Sequence, residues 1–276
     1  MTENDTVDDD TVEEFTPGVG GQYRLADAWN FRDVGGARTS DGGRIGSGVL
    51  MRSSELSRLS DDGRTELQRL GIRIVFDLRS PSEAKRSGAD LVPDGVQVQA
   101  VPFGKINGDR APHEMGIEST DDTQRQYMLN AYASFPVLDG AKTAIAGVIT
   151  AVGRGEGPVL VHCAAGKDRA GWTVATVLRV AGVVYEDIVA DFMASNAAVE
   201  PLRAHMHEVW RPASGQSRIN FSDALLGVDE DYYVHGLRTV DEKYGSFDNY
   251  LDAMGIDADD VVRLRRELSS TNSTTN

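Results

Sequence analysis

Pro158-Val159-Leu160-Val161-His162-Cys163-Ala164-Ala165-Gly166-Lys167-Asp168-Arg169-Ala170-Gly171 is the stretch that orders the rest of the chain. Its first four residues make a short, wholly apolar run bounded by turn residues, the pattern of a central strand buried on both faces. Gly153, Gly155 and Gly157 stand before it as breakers. From Arg169 to Val180 the pattern turns helical and ends near Gly182. A strand, a short loop and a long helix therefore follow one another directly.

Working outward, Ile145, Val148, Ile149 and Val152 keep the i, i+3, i+4, i+7 spacing of a core-facing helix, and residues 121–134 also read as helical. Ser60 can cap a helix running to Leu70, with Gly71 where a left-handed helix end would fall. The β-branched run from Ile72 to Leu78 predicts a strand, and Arg79-Ser80-Pro81 leads out of it into another helical stretch. Val96, Val98 and Ala100 alternate with Gln97 and Gln99, which predicts a half-buried strand. Helical patterns resume at 185–198, 200–210, 230–244 and 258–268, the last with Val261, Leu264 and Leu268 on one face. Strands separated by helical stretches define an α/β class with a mainly parallel central sheet flanked by helices. With no internal repeat and no linker after residue 25, the expectation is one domain over 23–269. Disordered tails are expected at 1–22 and 270–276.

The chain has 276 residues, 40% of them hydrophobic, enough for one well-packed domain with additions. Nowhere do ~18 apolar residues run together, and the N-terminus opens on acidic and small polar residues. These features predict no integral membrane association and no secretory signal, hence a cytoplasmic location or export without a cleavable signal. The formal charge of −15 argues against nucleic acid or anionic lipid as a general partner. Seven acidic residues fall within residues 1–14 with no Lys or Arg among them, so the body is only mildly acidic. A single cysteine excludes an intrachain disulfide and a multi-cysteine zinc cluster, so Cys163 is either inert or reactive alone.

The neighbours of Cys163 decide between those two. A short loop opening onto a helix N-terminus points several backbone N–H groups at one spot, where the helix dipole favours negative charge. Such a cradle binds phosphate and stabilises a thiolate. Cys163 at the strand end and Arg169 in the first helical turn flank it, with the backbone of Ala164, Ala165, Gly166 and Lys167 between them. A guanidinium supplies a fork of donors for two phosphate oxygens. Cys163 would attack in line, a thiophosphate would form and water would hydrolyse it, with an acid protonating the departing oxygen.

At these residues the sequence resembles a known family. His162-Cys-x5-Arg169 is similar to the signature of the protein tyrosine phosphatase superfamily, and Gly166-Lys167-Asp168-Arg169 resembles the loop of the bacterial tyrosine and phosphoinositide phosphatases. That branch, of dual or triple specificity, includes secreted mycobacterial and listerial enzymes. Asn30-Phe31-Arg32-Asp33-Val34-Gly35-Gly36, Arg52-Ser53-Ser54-Glu55-Leu56 and Asp77-Leu78-Arg79-Ser80 agree with it, and the likeness extends from about residue 25 to about 268. The resemblance implies a phosphatase fold, Cys163 as nucleophile and Arg169 as phosphate ligand. It also implies a phosphorylated protein or phosphoinositide substrate and no metal or organic cofactor. Lys167 would suit multiply charged head groups.

The Trp-Pro-Asp tripeptide that supplies the acid in many relatives is absent. Asp168, inside the loop, and Asp77, at the end of a neighbouring strand, are both candidates, and tethering beside the leaving group favours Asp168. Ala170 stands where many relatives carry Ser or Thr, and Thr173 could substitute one turn later. Arg32 with Asp33 reads as a structural pair at the Gly35-Gly36 turn. Arg52 and Arg79 read either as solvated surface groups or as an extension of the positive field. His162 reads as a hydrogen-bonding neighbour of the thiolate. Tyr232, Tyr233 and His235 are candidates for a helical lid, though packing is the commoner role of such aromatics.

Rival readings fail on spacing. A nucleotide-binding loop needs Gly where Val161 stands and Ser or Thr where Asp168 stands. A rhodanese-type loop does not need Arg169 in register, and His205 with His207 do not share a helix face as metal ligands would. A papain-like hydrolase needs a His and Asn partner for which no motif is found. The remaining alternative is a phosphate-binding pseudophosphatase, against which stands the full set of thiol, arginine and acid.

Overall fold

The computed structural model describes residues 16, 25–104, 120–209 and 221–269. The expected start of order at Tyr23 and the C-terminal tail lie outside those residues, as does nearly all of the N-terminal tail. Five strands form one sheet: β1 (Arg32–Asp33), β2 (Leu50–Ser53), β3 (Ile74–Asp77), β4 (Gln97–Ala100) and β5 (Val159–His162). Their order is β1-β2-β5-β3-β4, with β1 antiparallel to β2 and every other pair parallel. The apolar run at Val159–Val161 is central, as its composition requires. Register places Ser53 and Asp77 on either side of His162, so the carboxyl ends of β2, β5 and β3 finish in one row. Ligands of open α/β sheets bind beyond that edge.

Alternation along the strands divides the core. Leu50, Ile74, Phe76, Val159 and Val161 face one cluster, and Met51, Val75 and Leu160 face another. The smaller cluster is closed by Leu67 of α1 (Asp61–Arg69). Ser60 caps that helix by accepting from Gly63 N, and Gly71 sits at φ +68° where a left-handed end was expected. The larger face is covered by α4 (Asp139–Gly153) and α5 (Arg169–Ala181), with Ile145, Val148, Ile149 and Val152 buried as their period predicts. Between β3 and α4 lie α2 (Pro81–Ser87) and α3 (Asp121–Ser134). After α5 come α6 (Tyr185–Met193), α7 (Val199–Val209), α8 (Asp223–Leu226), α9 (Glu230–Tyr244), α10 (Phe247–Ala253) and α11 (Ala258–Ser269).

Two expectations change. The stretch 185–198 is not one α-helix: α6 stops at Met193 and a tighter 3₁₀ segment, Ala194–Ala198, carries the chain into α7. Strand β4 exists, but Val98 is 40% exposed and Ala100 is exposed as well. The strand lies at one edge of the sheet with both faces left largely open, so alternation there does not report burial. Among the described residues no single helix is long and apolar enough to cross a membrane.

Candidate active site

The loop between β5 and α5 is held open from outside, one carbonyl at a time. Ala164 O accepts from Glu55 N (3.1 Å) and Ala165 O from Asn30 Nδ2 (3.2 Å). Gly166 O and Lys167 O accept from a single guanidinium nitrogen, Arg52 Nη2 (2.8 and 3.0 Å). In a trans peptide the C=O and the following N–H point opposite ways. Four carbonyls drawn outward therefore turn the N–H groups of Ala165, Gly166, Lys167 and Asp168 toward the inside of the loop. Gly166 N points at Cys163 Sγ, 3.3 Å away. Only glycine fits there: its φ is +70°, and a Cβ would lie 2.3 Å from Ser53 O.

Behind the loop lies a buried ion cluster. Asp191 of α6 accepts from Arg52 Nη1 (2.6 Å) on one oxygen and from Arg32 Nε (2.7 Å) on the other. Arg32 also donates to Ser195 Oγ, Asn30 O and Asn30 Oδ1, so it fixes the residue that holds Ala165. Burial lowers the Arg32 guanidinium to about 10, with repulsion from Arg52 adding to the effect and Asp191 opposing it. Burial pushes the Asp191 carboxyl up, and the two arginines more than reverse this. The expected Arg32–Asp33 pair is not formed: Asp33 accepts instead from Gly35 N (2.9 Å) and Gly48 N (2.7 Å). Arg52 is not on the surface either, being fully buried.

Arg169 lies across the loop, donating through Nη1 and Nη2 to the two carboxylate oxygens of Glu83 (2.6 and 2.7 Å). Burial works against the charge of this guanidinium, but Glu83 and then Cys163 outweigh it, so its proton is held more tightly than usual. Glu83 was not singled out from sequence. Its local signal was Ser80-Pro81-Ser82-Glu83, a helix-capping box at the start of α2.

Asp168 is partly exposed, and its Oδ1 accepts from Tyr132 Oη and from Lys167 Nζ, both at 3.0 Å. Lys167 is 5% exposed, and Nζ also donates to Leu225 O (2.8 Å) and Gly227 O (3.0 Å) at the end of α8. All three ammonium hydrogens are thus engaged within the protein. That geometry runs against the expectation that the side chain reaches for multiply charged head groups. Loop contact comes from α8, whereas Tyr232 and Tyr233 of α9 are buried packing residues against Tyr132, Trp172 and Phe192.

Asp77 belongs to another buried group. Arg79 donates to Asp77 Oδ1 (2.9 Å) and Oδ2 (2.8 Å), to Asp90 Oδ1 (2.8 Å) and to Glu55 Oε2 (3.3 Å), so Arg79, like Arg52, is internal. Burial raises the Asp77 carboxyl, but the Arg79 hydrogen bonds and the nearby His162 bring it below its ordinary value. His162 has Nε2 against Asp90 Oδ2 (2.9 Å) and Nδ1 against Cys163 O (3.2 Å), so its ring hydrogen-bonds next to Cys163. Asp77, Asp90 and His162 place donor atoms within 4.8 Å of one another in the manner of a cation site. The Arg79 guanidinium bridges the two carboxylates and supplies the positive charge itself. Thr173 is fully buried, and among the described residues its hydroxyl has no partner.

A buried thiol in a loop of inward-turned amides, with a buried arginine at the start of the following helix, is a site shaped to hold a phosphate group. The family model "Tyrosine phosphatase family" matches residues 23–270, and the chain belongs to that family. It is 39% identical over 271 residues to the triple specificity protein phosphatase PtpB of Mycobacterium tuberculosis, spanning 87% of this chain and 96% of that protein. A Cupriavidus necator protein is 32% identical over 240 residues, 86% of this chain and 84% of its own. A tyrosine-protein phosphatase of Nostoc commune is 25% identical over 237 residues, 81% and 75% of the respective chains. The mainly parallel α/β architecture and the phosphatase class agree with the expectation drawn from His162-Cys-x5-Arg169.

Proposed function

We propose that the chain hydrolyses phosphotyrosine, phosphoserine or phosphothreonine and phosphoinositide monoesters through a cysteinyl-phosphate intermediate, a reading supported by its family and by the likeness to a relative named a triple specificity protein phosphatase. The observation that carries the mechanism is the set of four outward-held carbonyls, which aims the loop amides at the space before Cys163 Sγ. The Cys163 thiolate attacks phosphorus as the bond to the leaving oxygen breaks, and Asp168 gives that oxygen its proton. A water molecule then attacks phosphorus, its proton passes to the Asp168 carboxylate, the S–P bond breaks and inorganic phosphate leaves with the thiolate restored. Loop amides and Arg169 hold the equatorial oxygens throughout.

Asp168 is favoured over Asp77 because Arg79 occupies both oxygens of Asp77, whereas Asp168 is partly exposed within the loop and, among the described residues, receives donors on one oxygen only. The test is rapid-quench labelling with a ³²P-phosphotyrosine peptide. Wild type should trap one acid-stable phosphate on Cys163 and turn over, and Cys163→Ser should do neither. Equal slow release by both proteins would leave a phosphate-binding module without catalysis.

A further inference from the structure

Asp168 Oδ1 is the target of two donors from different parts of the fold. Tyr132 reaches it from α3, fully buried among the rings of Phe135, Phe192 and Tyr232 at 4.7, 5.8 and 5.6 Å. Burial, and after it the adjacent Asp168, pushes that phenol well above its ordinary value, so it stays a donor. Lys167 reaches the same atom with Nζ anchored on two carbonyls of the α8 end. That anchor is itself fixed. Gln124 Oε1 accepts from Ser222 N and Oγ (both 3.0 Å), Tyr232 Oη donates to Ala224 O (2.8 Å), and Asn196 brackets Val228 on both its N–H and its C=O. Among the described residues nothing donates to Oδ2.

We propose that Tyr132 and Lys167 are positioning residues for the acid step, and that by both donating to Oδ1 they confine the transferable proton of Asp168 to Oδ2. The inference rests on the reading of Asp168 as the acid. An oxygen whose two lone pairs already accept hydrogens has none left for the proton, so a protonated Asp168 carries it on the other oxygen. The carboxyl is thereby fixed about its own axis with one oxygen presented for transfer, and fixed geometry is what makes a tethered acid effective. Lys167 then acts on the reaction through Asp168 and not through a second phosphate group of the substrate.

The experiment is a leaving-group series: kcat and KM for dinitrophenyl, nitrophenyl, phenyl and alkyl phosphates with wild type, Asp168→Asn, Tyr132→Phe and Lys167→Met. An acid matters little to a good leaving group and greatly to a poor one. In kcat/KM, which reports the P–O cleavage step and not the later hydrolysis of the intermediate, Asp168→Asn should lose roughly 100-fold or more on phenyl phosphate and little on the dinitrophenyl ester. Tyr132→Phe and Lys167→Met should show the same graded loss in kcat/KM, roughly 10-fold on phenyl phosphate. Tyr132→Phe removes one oxygen from a packed ring, so it decides the matter even if Lys167→Met does not fold. A graded loss in Asp168→Asn with a uniform one in Tyr132→Phe overturns the clamp alone. So does a Lys167→Met defect confined to KM for phosphatidylinositol phosphates. A uniform loss in Asp168→Asn removes the acid assignment and the clamp with it.

Discussion

Replacing Glu83 by Gln measures how firmly Arg169 is held. Burial alone would raise the Glu83 carboxyl, but the charge and hydrogen bonds of Arg169, with those of Ser80, bring it from 4.5 to about 2. A carboxyl depressed in the fold contributes stability that is present above its unfolded value and is lost as pH falls toward the folded one. The gap of about two and a half pH units, at about 1.4 kcal/mol each, corresponds to about 3 kcal/mol. Gln keeps one hydrogen bond worth about 1 kcal/mol, so the expected loss near neutrality is about 2 kcal/mol. By about pH 3 more than half of the carboxylate's contribution has gone in wild type, and the two proteins should converge. Urea unfolding of both at neutral and acid pH reads this directly. A difference in stability that is the same at both pH values would refute the ion-pair account. Arg169, no longer gripped at both nitrogens, should also cost on the order of 100-fold in kcat/KM.

Arg52→Met removes the donor to Gly166 O and Lys167 O and leaves Asp191 with one arginine in a buried site, so stability should fall by about 3–5 kcal/mol in urea titration. An effect below about 1 kcal/mol would show that Arg52 is replaceable by packing alone. Gly166→Ala must shift the loop away from Ser53 O and should abolish turnover and vanadate binding together, while retention of either would contradict the geometry of the loop.

The central strand, the loop and helices α4, α5, α9 and α11 were legible because each is announced locally, by an apolar run, a 3.6-residue period or a glycine stop. The placing of Cys163 and Arg169 at the two ends of one loop was legible for the same reason, since the strand and the helix that flank it are both locally announced. The supports were not. Arg52 meets Asp191 across 139 residues and Arg169 meets Glu83 across 86, and such pairings leave no periodic trace. Long cations therefore read as surface or substrate-facing groups, although Arg52, Arg79 and Lys167 are all buried with internal partners. Exposure of β4 was hidden for a related reason: alternation is a property of the chain, but coverage depends on where the strand falls in the sheet order.

Helix α2 has only seven residues, too few to persist without outside support. Its opening turn is tied by the Glu83 carboxylate, which receives Ser80 N and Arg169 at once. Fraying of that turn on warming would release the arginine while the sheet beneath stayed intact, so inactivation would set in ahead of global melting. The durability of the catalyst is then governed by a seven-residue helix rather than by its core.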